Sequence, residues 1–243
     1  MSRELRVLPV AGMPEVHEGD RVGELIAERV ELREGDVVVV SQKIVSKAEG
    51  RVVRLDSVTP SQRAREIAER LSREAELVEL VLSESREVLR EERVLITETR
   101  HGFVCANAGI DTSNLVEDGT FCLLPEDPDA SARKIRAELG GAAVVIADSF
   151  GRAWRLGQAE VAIGCAGLQP LDDWRGRRDA SGRELSATVI AIADEVAAAA
   201  DLVREKNEGV PVVVVRGLGR YVGAEDGPGA AALRRPPGED LFR

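Results

Sequence analysis

The most constraining feature of the chain is a run of four consecutive valines within Asp36–Ser41, DVVVVS. A short, apolar, β-branched run of this kind reads as a buried strand. Ala142–Ala147 reads the same way and ends in Asp148-Ser149; Arg93–Thr97, Glu160–Cys165 and Val210–Arg216 read as further strands. Only 3% of the residues are aromatic, so Val, Leu, Ile and Ala must fill the core, and an apolar content of 44% is ample for one.

Helix signals fall between these runs. Thr59-Pro60-Ser61-Gln62 predicts a helix start with Thr59 as N-cap and Pro60 at the first helical position, and Ala64, Ile67, Ala68 and Leu71 mark one face. A second helix is predicted over about Glu74–Val88. A third begins at Asp127-Pro128 and stops at Gly140-Gly141. The longest is predicted over Glu184–Glu205, from Leu185, Val189, Ile192, Val196 and Val203 at helical spacing. Helices and strands mix without strict βα alternation, which predicts an α+β or mixed α/β fold, one large domain or two closely packed lobes, and not a Rossmann domain. The stretch after Gly217 is rich in Gly, Pro and charge and is expected to be extended or mobile.

The formal net charge of −10 disfavours a nucleic-acid partner, since phosphate backbones are gripped by clustered Lys and Arg. The longest purely apolar run, Ala142–Ala147, is far short of the roughly 20 residues that span a bilayer. The N-terminus carries no signal-peptide core, so a cytoplasmic protein is expected. Three cysteines without a C-x-x-C pair argue against a disulfide framework or a structural zinc, and two histidines exclude a His-rich metal centre. Without a G-x-S-x-G elbow or a P-loop, any chemistry falls to Asp, Glu, Lys, Arg and hydroxyls, the groups of phosphoryl transfer and hard-cation sites.

Three segments have that character. Ser41–Lys47, SQKIVSK, follows a buried strand and gathers hydroxyls, an amide and two cations; it is either a phosphate-binding edge or a polar turn into a solvated helix. Asp148-Ser149 also follows a buried strand, and a carboxylate beside a hydroxyl suits Mg²⁺ or Mn²⁺. The alternative is Asp148 as an N-cap or turn residue. Just downstream, Arg152 and Arg155 are candidates to neutralise an anionic substrate, and Trp154 to pack on a flat ring. Asp111, within Cys105–Asn114 (CANAGIDTSN), is by itself a plausible turn residue, but together with Asp148 it suggests a metal pair. Asp172–Asp179, DDWRGRRD, reads as either a solvated salt-bridged loop or a dimer or substrate loop. Gly217–Gly223 lacks a following helix and reads as a turn-rich exit, not a dinucleotide loop.

Taken together, the segments Gly12–Val16 (GMPEV), Ser41–Gly50 (SQKIVSKAEG), Cys105–Asn114, Asp148–Gly157 (DSFGRAWRLG), Gly164–Gly167, Asp173–Gly182 (DWRGRRDASG) and Val210–Gly217 (VPVVVVRG) resemble, in order and over nearly the whole chain, the coenzyme F420-0:γ-glutamyl ligase family. The resemblance implies a two-lobed α+β fold over residues 1–223, with 224–243 as a C-terminal tail. It implies a homodimer with its site near the subunit interface, without a P-loop. It further implies a GTP-dependent amide ligase adding L-glutamate to the deazaflavin F420-0, first on the phospholactyl carboxylate and then through γ-linkages, by way of an acyl phosphate. Mn²⁺ or Mg²⁺, as two ions, and K⁺ are the implied cofactors.

Carried over residue by residue, the resemblance assigns metal ligation to Asp111, Asp148, Ser149 and either Glu205 or Glu208. It assigns nucleotide contacts to Met13, Pro14, Glu15, Val16, Gln42, Lys43, Lys47 and Asn114. No general base is named. The alternatives are a non-catalytic binder of GTP or a deazaflavin and a related ligase with another acceptor. The ending Arg234–Arg243 resembles the stretch that precedes a flavin-reductase-like domain in some bacterial relatives, so the chain is expected to be either a stand-alone ligase or one half of a fusion.

Overall fold

The computed structural model describes residues 4–111, 115, 118–204 and 209–240. In chain order the elements are β1 (Arg6–Pro9), α1 (Val22–Ala27), β2 (Val37–Ser41), α2 (Gln42–Ala48), β3 (Val52–Arg54), α3 (Gln62–Leu71), α4 (Ala75–Ser83), β4 (Ser85–Glu91), β5 (Leu95–Thr99) and β6 (Val104–Ala106). They continue with β7 (Thr120–Cys122), α5 (Pro128–Glu138), β8 (Ala143–Arg152), β9 (Arg155–Ala166), β10 (Asp172–Asp173), β11 (Val189–Ile190), α6 (Ile192–Asp201) and β12 (Val212–Arg216).

The valine run forms β2, at the centre of a five-stranded sheet ordered β1-β12-β2-β8-β9. β2 pairs parallel with β8 and antiparallel with β12, so the sheet is mixed. Side chains alternate faces along a strand. Val38, Val40, Val144, Ile146, Val212 and Val214 therefore share one core with Ile26, Ile44 and Ile135 from α1, α2 and α5. Val37, Val39, Val145, Val213 and Val215 share the other with Ile192, Val196 and Ala200 of α6. Each of the four β2 valines is fully buried, a contribution on the order of 1.5–3 kcal/mol per side chain before conformational entropy. Between α2 and α5 the chain forms a second lobe, in which the β3–β7 ribbon, the β4-β5-β6 sheet and the α3–α4 pair enclose smaller cores. The fold is α+β, with neither P-loop nor Rossmann order.

Several boundaries differ from the sequence expectation. The helix expected to be capped by Thr59 starts at Gln62, because Ser61 is the cap: its hydroxyl accepts from the Ala64 N–H at 3.2 Å, and its own N–H donates to Glu79 of α4 at 2.8 Å. The helix expected to reach Val88 stops at Ser83. Ser83 and Ser85 turn their hydroxyls back onto the Leu80 and Val81 carbonyls, competing with helix continuation. Val88 then lies in β4, opposite Thr97. The long helix expected from Glu184 begins only at Ile192. Leu185 bonds to Arg177 and Gly176, and Val189–Ile190 pair with Asp172–Asp173, so the helical spacing of Leu185 and Val189 belongs to a ribbon.

The segment after Gly217, expected to be extended or mobile, is docked over its described residues. Asp129 of α5 accepts the Ala230 and Ala231 N–H groups, and Arg136 reaches the Gly223 and Ala224 carbonyls. The Gly164–Gly167 segment serves the same packing: a Cβ at Gly164 would stand 2.3 Å from the Pro128 carbonyl oxygen, and one at Gly167, where φ is +72°, 2.3 Å from Arg136 Nε. Only glycine lets α5 lie this close to β9. Asp172 anchors the charged ribbon by accepting from Trp174 Nε1 at 2.9 Å and the Tyr221 hydroxyl at 3.2 Å, and by pairing with Arg177 at 3.1 Å.

At the head of β2, Asp36 is fully buried and accepts two bonds from Arg216 at the end of β12, at 2.8 and 2.7 Å, and one from the Arg33 N–H at 2.8 Å. Burial pushes its carboxyl upward, but these donors outweigh it and hold the pKa below the usual carboxylate range. The resulting stabilisation is complete above the ordinary carboxylate pKa and is lost as pH falls through Asp36's lowered value. Asp36→Asn is expected to lower unfolding free energy by about 3 kcal/mol at pH 7. Urea denaturation checks this, and the gap to wild type narrows below about pH 4.

Candidate functional site

β2 and β8 run parallel in register, so that Ser41 pairs with Ala147. Whatever follows these two residues emerges side by side. After Ser41 the chain turns into α2, carrying Lys43 and Lys47 one helical turn apart on a common face. After Ala147 comes Asp148-Ser149. These groups open onto a cavity of about 800 Å³, lined also by Met13–Val16, Asp111, Gln158, Glu160, Asp201, Arg204 and Val210-Pro211.

Asp148 is neither N-cap nor turn residue, because β8 runs on through it to Arg152 as one arm of a hairpin with β9. Asp111 is not at the turn either. The turn in that segment is Asn107-Ala108-Gly109, three successive residues with φ of +49°, +54° and +72°. Two of them are non-glycine residues in a region that costs roughly 1–2 kcal/mol each. Beyond the turn, Asp111 exchanges both backbone hydrogen bonds with Cys122 at 3.1 and 2.8 Å. This bridge delivers its carboxylate to Lys43, with Nζ to Oδ2 at 2.9 Å.

Two further ion pairs cross the cavity wall: Lys47 to Glu15 at 2.6 Å and Arg204 to Glu160 at 3.4 Å. Ser149 Oγ donates to Glu160 Oε1 at 2.6 Å. Burial, with the Glu160 carboxylate second and Asp111 further off, pushes Asp148 up to about 7, against the Ser149 N–H and Lys43. The cleft floor thus holds more negative than positive charge. Hard oxygen donors with a carboxylate surplus fit a divalent cation that takes one or two carboxylates and completes its shell with water and phosphate. Among the described residues no three His, Cys, Asp or Glu side chains gather closely enough to form a metal cluster alone.

Of the residues singled out in the sequence, Met13, Pro14, Glu15, Val16, Lys43, Lys47, Asp111, Asp148 and Ser149 line this one cavity. Gln42 does not; it is buried beneath it, accepting from Ser46 Oγ at 2.9 Å. Arg152 and Arg155 stand at the hairpin tip, where Arg152 closes the turn onto the Leu156 and Gly157 carbonyls. β8 continues three residues past Ser149, which carries Arg152 about 10 Å along the hairpin at ~3.3 Å per residue. Trp154 and Leu156 there are 83% and 96% exposed. Asn114, Glu205 and Glu208 lie outside the described residues.

Glu160 and Arg204 were not singled out from the sequence. Simple hairpin counting from Arg152↔Arg155 would set Ser149 opposite Gln158, and the register shift after Gly151 is what brings Glu160 there instead. Burial pushes the thiols of Cys105, Cys122 and Cys165 to about 12, 11 and 12, which removes them as nucleophiles near neutral pH. No helix among the described residues is long and apolar enough to cross a membrane.

A sheet with paired strand ends, lysines on one side and carboxylates on the other thus frames a polar cleft, and the sequence carries no P-loop motif. Residues 12–217 match the sequence profile of the F420-0:Gamma-glutamyl ligase family. The chain is 49% identical to the coenzyme F420:L-glutamate ligase of Archaeoglobus fulgidus over 88% of both chains. It is 46% identical to the protein of the same name from Methanothermobacter thermautotrophicus, over 98% of this chain and 99% of that one. Against that of Methanopyrus kandleri it is 45% identical over 98% of both. The chain belongs to the F420-0:γ-glutamyl ligase family.

A carboxylate whose folded pKa is raised contributes least where it is ionised, so its effect on stability worsens as pH rises from the ordinary carboxylate range through about 7. In chelator-treated protein, Asp148→Asn is expected to melt well above wild type at pH 8 and by a smaller margin at pH 5, the gap closing only below about pH 4. Differential scanning calorimetry at the two pH values decides this; parallel curves would remove the carboxylate surplus.

Proposed function

We propose that this chain, a ligase by family, joins L-glutamate to coenzyme F420-0, first at the phospholactyl carboxylate and then through γ-linkages, using GTP and passing through an acyl phosphate. The observation that carries the reading is the convergence of Lys43, Lys47, Asp111, Asp148 and Ser149 on one cleft. The names of the relatives carry glutamate and F420; GTP, K⁺ and the homodimer come from the resemblance of the motifs.

Lys43 and Lys47 serve as point charges for the nucleotide phosphates, exchanging Asp111 and Glu15 for phosphate oxygens. Met13–Val16 form the wall against which the nucleotide lies. Asp111, Asp148 and Ser149 would hold Mn²⁺ or Mg²⁺, which supplies neutralisation of the charge that builds on phosphoryl oxygens. The chain's own contribution is placement: a carboxylate acceptor, a phosphoryl donor and an amine must meet within a cleft of about 800 Å³, and holding them in line is a large part of the barrier reduction.

Purified protein given GTP, Mn²⁺, F420-0 and L-glutamate is expected to release GDP only when both other substrates are present and to yield glutamylated product by mass spectrometry. GTP binding without product would support a non-catalytic binder instead, and product from another acceptor would move the reading to a related ligase. Asp148→Ala is expected to abolish turnover with the fold intact. Lys47→Ala is expected to raise the KM for GTP by about tenfold or more, from loss of a charge-assisted contact worth roughly 1.5–3 kcal/mol; an unchanged KM removes Lys47 from the nucleotide.

A further inference from the structure

In the lining of the same cavity, two residues without an assigned role form a buried chain of polar contacts with Ser149. Glu160 is 6% exposed and stands directly opposite Ser149 across the β8–β9 pair. Its Oε1 accepts from the Ser149 hydroxyl at 2.6 Å, and its Oε2 faces Arg204 NH1 at 3.4 Å. The Arg204 side chain is 8% exposed, and its NH2 donates to the Val39 carbonyl at 3.0 Å and the Pro211 carbonyl at 3.3 Å. Glu160 is thereby tied, through Arg204, to the backbone of β2 and of the approach to β12.

A serine hydroxyl has one hydrogen and two lone pairs, whereas an ionised carboxylate only accepts. With its hydrogen committed to Glu160, Ser149 can meet the cleft only with lone pairs. That suits a cation and is unsuited to a phosphate oxygen, which would need the hydrogen. The ion pairs agree: Asp111 faces Lys43, Glu15 faces Lys47 and Glu160 faces Arg204, so Arg204 offsets the charge that Glu160 brings, while Asp148 and Asp201 of the same lining stand outside these three pairs. A buried ion pair is a weak source of stability, and one that fixes an orientation is better accounted for by that role.

We propose that Glu160 is a positioning residue of the cation site: braced by Arg204, it orients the Ser149 hydroxyl so that its lone pairs face a divalent ion beside Asp148. The inference rests on the cation reading given above and extends it by two residues. Outer partners that orient a metal ligand typically govern 10–100-fold in metal affinity.

The test measures Mn²⁺ affinity without nucleotide, by electron paramagnetic resonance of the free ion, for wild type, Glu160→Gln, Ser149→Ala and the double variant, with circular dichroism as the control for folding. Glu160→Gln is expected to weaken Mn²⁺ binding about 10–100-fold. The double variant is expected to bind no more weakly than the weaker single one, because both changes break the same link. Wild-type affinity in folded Glu160→Gln, or fully additive losses, overturns the inference and leaves the cation reading intact. If wild type itself binds no Mn²⁺, both fall. Should Glu160→Gln not fold, Ser149→Ala alone decides, since it removes the hydroxyl without stranding a buried charge; unchanged Mn²⁺ binding there overturns the inference.

Discussion

The parallel pairing of β2 with β8 is the constraint on which the rest of the molecule depends. Both strands are buried on both faces, so neither can slip by one residue without moving every valine into the wrong core. That locked register sets Ser41 beside Ala147. The two polar segments that follow, one entering a helix and the other continuing as a hairpin, therefore open the same cleft. The cations of α2 and the carboxylate of β8 meet because two hydrophobic runs fit together, and Asp36 with Arg216 ties the other end of β2 to β12.

Charge in the cleft is distributed in pairs. Three cations each face a carboxylate, and two further acids of the lining, Asp148 and Asp201, stand outside these pairs, Asp148 pushed up to about 7 chiefly by burial and by Glu160. Such a cleft presents groups of both signs to whatever enters it. Under the proposed function, a polyphosphate would meet lysines that can exchange partners, and a hard cation would offset the carboxylate surplus. Because interactions among charges strengthen as water is excluded, the same arrangement, costly without ligand, would become favourable with the ligands proposed.

Much of what makes the sequence recognisable is scaffolding. Gly164 and Gly167 admit α5 against β9, Asp172 ties the Trp174–Arg177 ribbon to Tyr221, and Asp129 with Arg136 fastens the segment around Gly223–Ala231. None of these groups lines the cleft. They hold the sheet, α5 and the C-terminal segment in one packed unit, so that residues from Met13 to Pro211 can form one wall.

The sequence by itself determined the central strands, because four successive β-branched residues leave little choice but a buried strand, and it determined the α5 start, because Asp127-Pro128 caps and initiates a helix locally. It also placed Lys43, Lys47, Asp111 and Asp148 among the residues to watch, since polar groups directly after buried runs are unusual enough to stand out. Where α4 ends and α6 begins was decided by tertiary structure: the Ser83 and Ser85 hydroxyls and the pairing of Val189–Ile190 with Asp172–Asp173 override a helical spacing that the sequence displays. Glu160 and Arg204 were invisible for the same reason. A register shift in a hairpin and a side chain reaching back to Val39 and Pro211 are long-range facts, and local pattern carries no record of which distant backbone a buried guanidinium will find.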